Sequence, residues 1–82
     1  MNQAEVIAKL QKVFDGVFTA PVTVTPELCA ADVPDEWDSL LQVSLEAATE
    51  KAFGIRFRVG EVATTQNVGE FADLIIRRLA QR

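Results

Sequence analysis

All three prolines of the chain, Pro21, Pro26 and Pro34, fall within residues 16–37. Proline has no backbone N–H to donate and its ring clashes inside a helix. This stretch therefore cannot be helix interior, and regular structure has to form on either side of it. It has few periodic signals and is predicted to be a long loop, with a turn of helix around Pro26–Leu28. A loop of this length in an 82-residue chain either is fastened down by apolar anchors or carries function.

Before the loop, Val6, Leu10, Val13, Phe14 and Val17 recur at helical spacing. They predict an amphipathic helix over residues 3–15, ended by Asp15-Gly16. After the loop, a second helix is expected from Asp38 or Ser39 to Phe53, with Gly54 as its stop. The stretch "IRFRV" (55–59) alternates like a strand, but it is short and has no partner, so an extended connector is expected. Residues 60–64 are assigned a short helical turn. Asn67 and Glu70 have capping-box spacing, with Asn67 accepting from the Glu70 backbone and Glu70 reaching back. The last helix then runs from Val68 to about Ala80, with Val68, Phe71, Ala72, Ile75 and Leu79 inward. Arg77, Arg78 and Arg82 lie near its end, where the macrodipole favours cations. The fold class is all-α: a small four-helix bundle of three principal helices and one short helix, with a long first loop, in a single domain over 1–82.

Composition narrows the function. Hydrophobic residues make up 49% of the chain, which suffices for a core. A chain this short buries only about 60–65% of its unfolded surface, so a large internal active site is not expected. There is no histidine, which rules out Ser-His-Asp, Cys-His and imidazole-metal arrangements within the chain. A single cysteine, Cys29, forms no internal disulfide or thiolate cluster and is expected to be a small buried hydrophobe. The net charge of −4 argues against nucleic acid and suits partners with positive patches. No apolar run is long enough to span a membrane, and the N-terminus does not resemble a signal peptide. A soluble cytoplasmic protein is expected, with no metal and no catalytic residues of its own.

The stretch "PDEWDSLLQVSLE" (34–46) takes the chain from loop to helix. Asp38 is the candidate N-cap, which makes Ser39 the first or second helical residue with its hydroxyl toward solvent. A phosphate on Ser39 would meet free N–H groups and the positive end of the dipole, although Asp38 would repel it unless turned away. Asp-Ser before an apolar run is also a common helix start. Trp37 reads either as a loop anchor or as a ring beside an attached group. Asp32, Asp35, Glu36 and Asp38 lack the spacing of a calcium loop. Arg56 and Arg58 read as a solvated face.

Taken together, "WDSL" (37–40), the Glu50…Phe53-Gly54-Ile55 end of the second helix and "NVGEFADLI" (67–75) resemble the acyl carrier protein family from the first helix to near the chain's end. The resemblance implies one carrier domain that catalyses nothing itself. Ser39 would receive 4′-phosphopantetheine from coenzyme A through a phosphopantetheinyl transferase, with Asp38 and Leu40 recognised by that transferase. The arm would carry acyl groups as thioesters to acyl-loading and acyl-processing enzymes of fatty-acid, polyketide or related biosynthesis. The second helix would be the docking surface, through Leu41, Ser44, Ala47, Ala48 and Lys51, on a monomer. A peptidyl or aminoacyl carrier and an unmodified helical interaction module are the alternatives.

The chain departs from the family in its second helix. Residues 40–53 hold only Glu46 and Glu50 against Lys51, where carriers are strongly acidic. A specialised carrier with a larger apolar share in docking is expected. The cleanest apolar stripe of this helix is Leu41, Leu45, Ala48 and Ala52, whereas the resemblance turns Leu45, Thr49 and Phe53 inward. The second orientation is preferred because burying Phe53 is worth about 2–3 kcal/mol. Glu46 would then lie near the core edge, implying poor shelter for long chains and a preference for short or polar cargo.

Overall fold

In the computed structural model, residues 1–81 are described, and Arg82 lies outside them. Three α-helices, α1 (Gln3–Val17), α2 (Ser39–Phe53) and α3 (Val68–Gln81), are joined by a long loop and a shorter connector. Two 3-10 turns interrupt these connections, Ala30–Asp32 and Val62–Thr64. No strand forms among the described residues, and residues 55–58 are an extended connector that runs into a turn at 59–61. Its alternation is real all the same. Ile55 is buried and Phe57 half-buried, with the Phe57 ring 5.6 Å from Phe71, while Arg56 and Arg58 face out.

Each helix start has a local cause. Asn2 accepts from the Glu5 N–H (2.9 Å) and Glu5 accepts from the Asn2 N–H (3.1 Å), so α1 opens on a full capping box. Asp38 accepts from the Leu41 N–H and starts α2. Asn67 accepts from the Glu70 N–H, but the Glu70 carboxylate takes the N–H of Gln66, one residue beyond the expected partner. Gly54, at φ 66°, closes α2 in the left-handed region that favours glycine. The end of α1 differs from expectation, because the helix continues through Gly16 to Val17. Burial explains this. Phe14 and Phe18 stack at 5.0 Å, Trp37 meets both edge-on, and the Phe18 N–H reaches the Phe14 carbonyl. This aromatic cluster outweighs a glycine penalty of about 1 kcal/mol.

Helix α1 packs against both α2 and α3, which share few contacts with each other. Its Val6, Leu10 and Phe14 are fully buried. From α2 come Leu45, Thr49 and Phe53, the preferred orientation, which leaves Leu41, Ala48 and Ala52 half-buried. The Thr49 hydroxyl donates to the Leu45 carbonyl (2.7 Å), so its burial leaves no polar atom unpaired. Lys9 places its ammonium 4.8 Å from the Phe53 ring, a cation–π contact that covers that ring. From α3 the expected residues are buried apart from Leu79, which is half-buried, and Leu74 joins them.

The long loop has no ladder to satisfy its backbone, and side chains do that work. Gln11 donates to the Val22 carbonyl (2.8 Å) and accepts from the Val24 N–H (2.9 Å). Phe18, Val22 and Val24 are buried as apolar anchors. The stretch near Pro26 is a single turn closed by Leu28 N–H to Thr25 O, and the helical turn comes four residues later, at Ala30–Asp32. The loop then supplies carbonyls to α3: Val68 donates to Leu28 O and Gly69 to Pro26 O, each at 2.9 Å. A Cβ on Gly69 would lie 3.2 Å from that Pro26 oxygen, a tight contact that favours glycine here.

Gln11→Ala strands a carbonyl and an N–H together, and is expected to lower unfolding free energy by about 1–3 kcal/mol in urea titration. Lys12→Ala, an exposed neighbour, is expected to change it by less than about 0.5 kcal/mol.

Candidate functional site

Ser39 is exposed at the first position of α2. Its hydroxyl makes no hydrogen bond among the described residues. The N–H groups of Ser39 and Leu40 are likewise unpaired, since the cap reaches Leu41 and the Asp38 carbonyl takes Gln42. Asp38 is thus committed through Oδ1 to the helix backbone. Leu40 is 78% exposed beside the serine.

One turn into α2 the surface opens into a cavity of about 240 Å³ between α2 and the start of α3. Leu45, Val62, Val68 and Phe71 make its apolar part; Thr65, Gln66 and Asn67 add polar groups ahead of α3, and the polar edge at α2 is formed by Trp37, Gln42 and Glu46. These three are linked in a chain. The Trp37 indole donates to Gln42 Oε1 (2.6 Å), and Gln42 Nε2 donates to Glu46 Oε2 (3.1 Å). Trp37 is therefore a loop anchor against Phe14 and Phe18 whose polar edge also faces the cavity. Cys29, expected to be buried, is half-exposed at the rim, its thiol 3.6 Å from Asp32.

No protein-family model matches the chain, and no curated protein matches it. Among solved structures, a holo acyl carrier protein from Geobacter metallireducens, determined in solution by NMR, superposes with a TM-score of 0.73. The two chains are 33% identical, over 96% of this one and 86% of that one. This chain belongs to the acyl carrier protein family. Such proteins are carriers rather than enzymes, and the fold similarity supports a carrier role here.

Across this carrier's α2, the expected docking residues separate. Ser44, Ala47 and Lys51 are exposed, while Leu41 and Ala48 are half-buried. That partial exposure of Leu41 and Ala48 is what the buried Phe53 orientation implies, and Leu40 and Val43 are exposed on the same helix, Val43 to 65%. The exposure of Val43 was not anticipated from the sequence, because it depends on which face of α2 turns inward. Both acids of α2 are engaged internally: Glu46 accepts from Gln42, and Glu50 caps the Phe57 N–H (2.8 Å).

Besides the capping Asp38, two of the acids before the serine have structural tasks. Glu36 accepts from the N–H groups of Thr19 and Ala20 and from the Thr19 hydroxyl, and Asp32 accepts from the Cys29 N–H. The Thr19 N–H above all, helped by Ala20 and the Thr19 hydroxyl, lowers the Glu36 pKa. Behind the cavity, Glu61 forms a bidentate pair with Arg78 and also accepts from the Arg58 N–H. The Arg78 hydrogen bond is the main cause of the lowered Glu61 pKa, and Glu61 in turn raises that of Arg78. The pair fastens the Val62–Thr64 turn, part of the cavity wall, to α3.

Both carboxylates titrate below their unfolded values. Their contribution is present above the ordinary glutamate pKa and is lost as pH falls through the lower folded value, from about pH 5 downward. Urea midpoints are expected to drop over that range. Glu36→Gln should be less stable than the parent at pH 7, and the gap should narrow as pH falls below the ordinary glutamate pKa.

Proposed function

We propose that the protein carries acyl groups as thioesters on 4′-phosphopantetheine attached to Ser39. The observation that supports this most is the serine hydroxyl, exposed and unpartnered at the tip of α2 in an acyl-carrier fold. The residues present fit the group. Two unpaired N–H groups, of Ser39 and Leu40, offer a phosphodiester donors and a positive dipole end. The Asp38 charge that would oppose it is partly offset by the Leu41 N–H. A phosphopantetheinyl transferase would move the group from coenzyme A to Ser39 Oγ, recognising Asp38 and Leu40 beside it. Once attached, the arm supplies a thiol for thioester formation. The neighbour's holo state supports the same reading for this chain.

The chain would act as a single carrier domain over 1–82 and as a monomer. Its partners would be loading and processing enzymes of fatty-acid, polyketide or related biosynthesis. A specialised carrier fits the α2 surface best. The exposed stripe from Leu40 to Lys51 presents apolar groups and one cation, with no exposed acid. Such a surface suits a partner with an apolar recess and an acidic group, and is a poor match for a basic patch.

Incubating the protein with coenzyme A and a broad-specificity transferase is expected to add one phosphopantetheinyl group by intact mass, and none to Ser39→Ala. A parent protein that gains no mass would leave an unmodified interaction module as the reading. On the loaded carrier, general fatty-acid synthase enzymes are expected to elongate slowly, and Lys51→Glu to speed them. Full rates on the parent would contradict the specialised assignment.

A further inference from the structure

We propose, resting on the carrier reading, that the cavity one turn along α2 from Ser39 selects acyl groups bearing an ammonium group, with Glu46 as their counter-charge. Gln42 and Glu46 stand at i+3 and i+7 from Ser39, so both share its side of α2. They lie on the path a tether from Ser39 takes if it folds back along the helix. Glu46 is about two turns, or roughly 10 Å, from the serine.

The hydrogen bonds set the polarity of this edge. The Trp37 indole spends its one donor on Gln42, and Gln42 spends a donor on Glu46 Oε2. Glu46 Oε1 has no partner among the described residues. No cation pairs with Glu46 there, since the ion pair formed is Glu61–Arg78. The cavity edge thus has a carboxylate with spare acceptor capacity and no counter-charge. In the same lining Leu45, Val62 and Phe71 offer apolar surface for methylenes, and Thr65, Gln66 and Asn67 add polar groups but no charge.

A saturated chain entering here would strip water from the carboxylate and return no hydrogen bond. A carboxylated chain would add like charge. An ammonium on an aliphatic stem satisfies both surfaces at once: methylenes on Phe71 and Val62, donors on Glu46. The half-enclosed setting strengthens that attraction relative to open water.

Octanoyl, 8-aminooctanoyl and suberoyl pantetheine arms, loaded on Ser39 from the corresponding coenzyme A thioesters, test this. Two readouts report on the cavity: the Trp37 indole and Gln42 amide resonances, and the alkylation rate of Cys29, the one free thiol once the arm is acylated. The amino chain is expected to shift both resonances and slow alkylation about three- to fivefold, the size of a partly exposed ion pair. Octanoyl and suberoyl are expected to leave both readouts near the unacylated holo values. Glu46→Gln, which keeps the shape, should abolish the amino effect, and high salt should weaken it. Equal or stronger effects from octanoyl, or an amino effect that survives Glu46→Gln, overturn the proposal. A chain to which no pantetheine thioester attaches overturns the carrier reading itself, which intact mass distinguishes from the other outcomes.

Discussion

A proline-bearing loop with no ladder partner has to satisfy its backbone from elsewhere, and the rest of the molecule follows from how it does so. Gln11 substitutes for a neighbouring strand, giving one donor and one acceptor to residues 22 and 24. Glu36 collects the N–H groups of Thr19 and Ala20 at the turn away from α1. The loop's own carbonyls, from Pro26 and Leu28, then meet donors that α3 leaves unpaired at its start. Each missing partner of one element is supplied by another. The loop is thereby held against α1 and α3, and Trp37 and Ser39 arrive in fixed positions at the head of α2.

The rotation of α2 follows from a competition. Leu41, Ala48 and Ala52 form a clean apolar stripe, but two of its members are alanines. Turning the helix to bury Phe53 brings Thr49 inside and Glu46 to the cavity edge. The threonine is accommodated because its hydroxyl finds a carbonyl one turn back. The glutamate remains partly in water, tied to Gln42. One rotation therefore leaves Leu40 and Val43 outside and sets the polarity of the cavity.

Features with local causes were legible in the sequence. Asp38 as a cap, Gly54 as a stop and Asn67 as the acceptor for Glu70 depend on residues within four positions of each other. The cap of α1 follows the same N-x-x-E pattern, at Asn2 and Glu5, and could have been found by that rule. Other features depend on distant partners and have no local signature. Gly16 stays helical because Phe18 and Trp37, far apart in sequence, close a cluster on Phe14. Gln11 and Glu36 look like ordinary surface residues until the loop folds against them. For the site, the serine and its flanking residues were apparent, while the exposure of Val43 and the Trp37–Gln42–Glu46 chain emerged only with the helix rotation.

Helix α1 serves as the common spine, with α2 and α3 each seated on it and sparsely touching one another. Little of the packing that holds either outer helix lies directly between the two. On the α3 side of the cavity the Glu61–Arg78 clasp holds the Val62–Thr64 turn in place, so one wall of the space open to a guest rests on a single ion pair as well as on buried Val62.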